Sequence, residues 1–160
     1  MRSILALSCI LALLGCGNSS DNKPQKGTPV RYEYSYSGTM ANPITWYEVT
    51  RLEDGTMTIS HSADSPEKTV IKAPADALEH IGALVNDNKL YKLAGSYQPN
   101  MDILDGYGWT LFVEYEDGYI ASGGSNAWPS SKLWSGVSAI NSYIQGIIDS
   151  ATEADIISKK

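Results

Sequence analysis

Cysteine is nearly absent from this chain. Its 160 residues hold two, Cys9 and Cys16, both close to the start. No pair of thiols stands beyond them, so a disulfide framework is excluded and stability must come from a hydrophobic core. Long apolar runs are absent too. The clearest one, residues 4–14, is interrupted by Ser8 and falls short of the roughly 20 apolar residues that a membrane-spanning helix needs. Basic residues are few: 12 Lys and Arg stand against 18 Asp and Glu, for a formal net charge of −6. No basic stripe exists, which argues against nucleic acid as a partner, because phosphate contacts need clustered Lys and Arg. Catalytic signatures are equally scarce. There is no G-x-S-x-G elbow, no P-loop lysine, no Rossmann glycine spacing and no D-x-D-x-D calcium loop. No cofactor is expected.

What is present begins with Leu13-Leu14-Gly15-Cys16. Met1-Arg2 supplies a positive start, residues 4–14 an apolar stretch, and Gly15 a small residue before the Cys. The arrangement has the three parts of a signal peptide and resembles a bacterial lipobox. That resemblance implies cleavage before Cys16, acylation of its thiol, and anchoring to a bilayer. Each buried acyl methylene contributes about 0.8 kcal/mol, so two or three chains hold a soluble domain firmly.

Residues 17–29 carry Asn, Ser, Asp, Lys, Gln, Gly and Pro with no large apolar side chain. Such a segment reads as a flexible tether. The expected organisation is a signal peptide over 1–15, a tether over 16–29 beginning at lipidated Cys16, one domain over 30–150 and a tail over 151–160. Loss of residues 1–15 removes one base, Arg2, and no acid, leaving the remainder more acidic. By resemblance to Gram-negative lipoproteins, Gly17 after the Cys favours the outer membrane. Asp21 sits near where Bacteroidota-type surface-export signals carry acids. Periplasmic-facing and surface-facing placements both stay open.

The period-2 and period-3.6 patterns predict strands, a helix, more strands and a second helix. Tyr32, Tyr34 and Tyr36 alternate with Arg31, Glu33 and Ser35 over 30–37. Further strands are expected over 44–52, 56–60, 68–72, 109–115 and 119–122. Glu53-Asp54-Gly55 and Glu116-Asp117-Gly118 are hairpin signals. Gly123-Gly124-Ser125 is expected to break the last of these strands. One helix is expected over 74–86, opened by Pro74, with an Asn of Asn86-Asp87-Asn88 taking the left-handed cap. The other is expected over 131–149, with Leu133, Val137, Ile140, Ile144 and Ile147 as its seam. Beyond 148 the chain is expected to fray or to extend that helix.

About six strands joined by hairpins, with two amphipathic helices, predict an α+β two-layer sandwich. The sheet is antiparallel and both helices cover one face, leaving the other solvated or partner-facing. A small barrel plugged by the helices is the alternative.

Four motifs, Leu13-Leu14-Gly15-Cys16, Asp105-Gly106-Tyr107-Gly108-Trp109, Tyr115-Glu116-Asp117-Gly118 and Ser122-Gly123-Gly124-Ser125-Asn126-Ala127-Trp128-Pro129, resemble those of small Bacteroidota-type bacterial lipoproteins. The resemblance implies an envelope location and carries no activity to this chain.

Candidate chemistry is sparse. Asp76 and His80 share a helix face, and His61 is a conceivable third metal ligand, but an Asp–His pair at this spacing is ordinarily a surface ion pair. Ser60, His61 and Asp64 are neighbours in sequence, which does not make a triad. The two glycines at 123–124 precede a helix, where anions bind, yet a tight turn is the simpler expectation. Asp102 and Asp105 are acids of a solvated loop.

Aromatic usage is the compositional oddity: 10 Tyr and 4 Trp against one Phe. These rings combine an apolar body with a polar tip and suit surfaces covered part of the time. Tyr32, Tyr34 and Tyr36 form a candidate binding stripe, or else core. Trp109 alternates with Leu111 and Val113 and is expected inside. Tyr107 and Trp128, joined by Trp46, are the expected contact residues. The expected function is that of a non-catalytic, lipid-anchored envelope protein binding a glycan or an envelope-protein partner. An envelope hydrolase or metal-dependent enzyme is the alternative.

Overall fold

The computed structural model describes residues 23–24, 26–38, 45–63, 67–100 and 106–159. The chain runs β1 (Arg31–Ser37), β2 (Thr45–Arg51), β3 (Met57–Ala63), β4 (Thr69–Lys72), α1 (Ala77–Asp87), β5 (Gly108–Tyr115), β6 (Gly118–Ser125), α2 (Ser131–Ser150) and β7 (Ile156–Lys159). All strands join one antiparallel sheet in the order β6-β5-β1-β2-β3-β4-β7. It is open, so the barrel alternative does not hold.

Local chemistry accounts for the hairpins. Between β2 and β3, Gly55 takes φ +87°, and the Asp54 carboxylate accepts a bond from the Thr56 amide at 2.9 Å. Two residues, Glu116 and Asp117, suffice between β5 and β6. Pro74 lies ahead of α1, whose first residue is Ala77. The left-handed residue after α1 is Lys89 at φ 57°, where an Asn had been expected. A 3-10 turn at Leu90–Lys92 follows directly, so Lys89 is the joint at which the chain changes direction.

Both helices cover the face that carries Tyr32, Val49, Ile59, Leu111, Val113 and Ile120, which are essentially inaccessible, as are Ile81 and Val85 of α1. On α2 the expected seam holds at its centre. Val137, Ile140 and Ile144 are fully buried, and Leu133 and Ile147 are partly so.

Two of the three rings of the candidate stripe on β1 are core. Tyr32 is fully buried and Tyr34 is 5% exposed. Their phenols are accommodated because α2 presents amides in register with the strands. Tyr32 donates to Asn141 Oδ1 and Tyr47 to Gln145 Oε1, each at 2.8 Å. Asn141 and Gln145 are one helical turn apart, matching neighbouring strands β1 and β2. Burial pushes the Tyr32 phenol well up and the Tyr34 and Tyr115 phenols up to about 12. The unfolded chain ionises its tyrosines near 10, so it binds fewer protons than the folded chain above that pH. This stability is complete below pH about 10 and is lost as pH rises toward the folded values. The denaturation midpoint is therefore expected to fall steadily between pH about 10 and about 12. A midpoint constant across that window, measured in urea, would contradict the buried placement.

Three other expectations are corrected. Residues 156–159 are neither frayed nor helical but form β7, paired to β4 with Ile71 opposite Ile156. The turn into it is held by Thr152, whose amide and hydroxyl both bond the Asp155 carboxylate, at 2.8 and 2.7 Å. Residues 123–125 do not break β6 but continue it. Pro29, the last residue of the expected tether, is buried. Gly82 of α1 makes the space, since a Cβ there would lie 2.6 Å from Pro29 Cδ. The Val30 amide then donates to Glu114 at 2.8 Å and starts the ladder. The lipobox residues, Cys16 included, lie outside the described residues.

Candidate functional site

A group of partly exposed rings stands where β1 ends and β5 begins. It is organised by Trp109, the first inward residue of β5, paired to Tyr36 on one side and Gly124 on the other. A Cβ at Gly124 would meet Trp109 Nε1 at 2.4 Å and the Ala127 carbonyl at 2.2 Å. Glycine here lets the indole lie across β6, which is the close approach that a strand glycine permits. The indole donates to Ala127 O at 2.9 Å and packs against Trp134 and Tyr97, with ring centroids 5.2 and 5.8 Å away.

Trp109 thereby holds the segment after β6. Asn126 takes the left-handed conformation, φ 49°, which Asn tolerates better than most residues. Its amide donates to Tyr107 O at 2.7 Å, and its Oδ1 accepts from the Tyr107 amide at 2.8 Å. Gly106 is required beside it, because a Cβ there would lie 1.8 Å from Asn126 Nδ2. Two of the motifs noted in the sequence, around Tyr107 and around Trp128, are thus one structural unit.

The unit presents a shelf. Tyr107 stacks on Tyr36 at 5.9 Å and 27°, and meets Trp128 at 6.5 Å and 51°. Trp128 is 40% exposed, and Tyr36 and Tyr107 are half-buried. The three rings make a stepped apolar surface with polar tips.

Trp46 does not join them. It pairs with Ser35, one residue out of phase with Tyr36, so it stands on the opposite, helix-free face of the sheet. There it belongs to a row that crosses the strands. Trp46 donates from Nε1 to Glu33 Oε1 at 3.2 Å, and Lys68 Nζ lies 4.1 Å from its ring centroid. Arg31 donates from Nη2 to Glu33 and from Nε to Glu48 at 2.7 Å. Its guanidinium sits over Phe112 at 5.9 Å, and Phe112 stacks on Tyr119 at 5.7 Å. Sequence reasoning missed this row. The signal was the one Phe of the chain standing between Thr110 and Glu114, an aromatic ring at a polar register.

The remaining candidates do not converge. Among the described residues no group of three His, Cys, Asp or Glu is arranged to hold a metal ion. The His80 ring packs on Tyr143 at 4.2 Å. Half-buried His61 pairs with Tyr47 on β3, and burial lowers its pKa. Asp64, Asp102 and Asp105 lie outside the described residues. With 123–125 in a strand, neither the phosphate cradle nor the tight turn forms. A cleft of about 610 Å³ opens beneath Pro29 between Arg51, Glu79 and Glu116. Its polar lining is Lys26, Thr28, Arg51, Glu79, Glu116 and Asp117, with no His, Cys or Ser. Among the described residues no helix is long and apolar enough to cross a membrane.

No protein-family model matches this chain, and no curated protein matches it either.

Proposed function

We propose that this chain is a non-catalytic binding or accessory lipoprotein of the bacterial cell envelope, anchored through Cys16 to the outer membrane. Its partner is a glycan or an envelope protein. The observation that carries the reading is the shelf of Tyr36, Tyr107 and Trp128 at the end of the sheet opposite the point where the N-terminal segment arrives. Pro29 and Val30 dock beside Glu114, whereas the shelf stands at the other end of β1, where Ser37 pairs with Gly108. The seven residues of β1 separate the two ends by about 20 Å. A chain anchored at its start would hold the shelf away from the bilayer, and a preceding tether would let it sweep the space around.

Two outcomes test this. Cys16→Ala is expected to abolish acyl labelling and move the protein from the membrane to the soluble fraction. Persistent labelling would refute the anchor. In that soluble form, Trp128→Ala and Tyr107→Ala are each expected to weaken retention on isolated envelopes about tenfold, as loss of an aromatic anchor does. Trp128→Ala should shift the melting midpoint little, since the ring is substantially exposed. Equal retention of both variants and the parent would refute the shelf as the contact surface.

A further inference from the structure

We infer that the helix-free face of the sheet is a second binding site, and that it takes an uncharged, extended oligosaccharide along the row from Trp46 to Phe112. The inference is independent of the shelf.

Placement comes first. Trp46 stands on β2 and Phe112 on β5, with β1 between them. The strands carrying the two rings are two spacings apart, about 9.5 Å. Between the rings on β1 stands Glu33, opposite Phe112 on one side and Glu48 on the other, and the Arg31 guanidinium, from the next outward position of β1, reaches Glu33, Glu48 and the Phe112 ring. Ring, hydrogen-bonding group and ring therefore alternate along a line that crosses the strands. A sugar chain offers the matching alternation of apolar ring faces and hydroxyl edges.

Pre-organisation comes second. Arg31 is tied to both carboxylates, and Glu33 also receives the Trp46 indole. Each ionised carboxylate has about four acceptor sites and the guanidinium has five donors. Capacity is left over for ligand hydroxyls, while the groups are already held in place. Partly exposed ion pairs of this type add little to stability, so the network is weakly accounted for as a stabiliser. Small neighbours, Ser35 joined to Thr110 at 2.7 Å, keep the floor low beside the rings. Exposed Lys68 covers Trp46 but sits on a flexible stem that swings clear.

Charge selects the ligand class. Among the described residues placed on this face by strand register or ring contact, Arg31, Lys68 and Lys72 stand against Glu33, Glu48 and Glu114. The signs balance, so a polyanion or a strongly charged peptide gains nothing from the field. A protein partner fits poorly as well, because interface cores are depleted of charged residues and here the charges occupy the centre.

The test is isothermal titration of the detergent-solubilised full chain with neutral hexasaccharides of glucose, mannose, xylose and N-acetylglucosamine, and with hexagalacturonate. At least one neutral probe is expected to bind, with hexagalacturonate about tenfold weaker or absent. Trp46→Ala and Phe112→Ala should each weaken that probe about tenfold, and Trp46→Phe much less. The Trp46→Phe variant separates loss of a contact from loss of the fold. Failure of every neutral probe to bind overturns the proposal. So does binding that survives both alanine variants, or binding lost with Trp128→Ala alone, which would assign the sugar to the shelf.

Discussion

Trp109→Ala is expected to destabilise the domain by about 3–5 kcal/mol, the range for removing a large buried aromatic side chain. The ring is 2% exposed. Its loss removes contacts with Trp134 and Tyr97 and the bond to Ala127 O. That carbonyl would then face a void. Backbone cannot fill it cheaply, because Gly124 has no side chain to offer. The urea midpoint should fall while its denaturant slope stays constant. A second consequence is local. Ala127 lies between Asn126 and Trp128, so the shelf should loosen in any variant that stays folded, visible as faster amide exchange at Tyr107 and Asn126. A midpoint within about 1 kcal/mol of the parent's would mean that the indole does not organise this end.

Ile140→Ala is expected to cost about 2–5 kcal/mol. The side chain is fully buried at the centre of the α2 seam, next to Asn141, whose amide receives the Tyr32 phenol. Collapse into the cavity is resisted, because a shift of α2 would break the Asn141 and Gln145 bonds to the sheet. The loss should therefore lie toward the upper part of that range. Ile147→Ala, only partly buried in the same seam, should cost clearly less. Equal losses at the two positions would show that the helix meets the sheet with a different face.

The local elements were legible because their causes are local. Alternation marked β1 and β5, acid-acid-glycine runs marked both hairpins, and apolar spacing marked α1 and the α2 seam. A seventh strand was not legible. Residues 156–159 are short and carry no strong alternation, and they become a strand because β4 offers an unpaired edge. The aromatic residues were read in the right numbers and partly on the wrong side. Tyr32 and Tyr34 could be read as a binding stripe or as core, because a phenol joins an apolar ring to a polar tip. The amides that satisfy two of the tyrosines of this face, Tyr32 and Tyr47, stand about a hundred residues away on α2.

By itself the sequence determined a cysteine-free α+β domain with an antiparallel sheet, two helices on one face and an unusual stock of Tyr and Trp. Those features follow from composition and from repeat lengths of two and 3.6 residues, which any window of the chain displays. The tertiary structure alone decided which rings are core and which are surface. It joined Tyr36, Tyr107 and Trp128, and it sent Trp46 to the other face with Arg31, Glu33 and Phe112. The reason is register. A strand's side chains alternate faces, so a single-residue phase difference between Tyr36 and Trp46 places them on opposite sides. That phase is set by pairing between β1, β2 and β5, whose partners lie far apart in the chain.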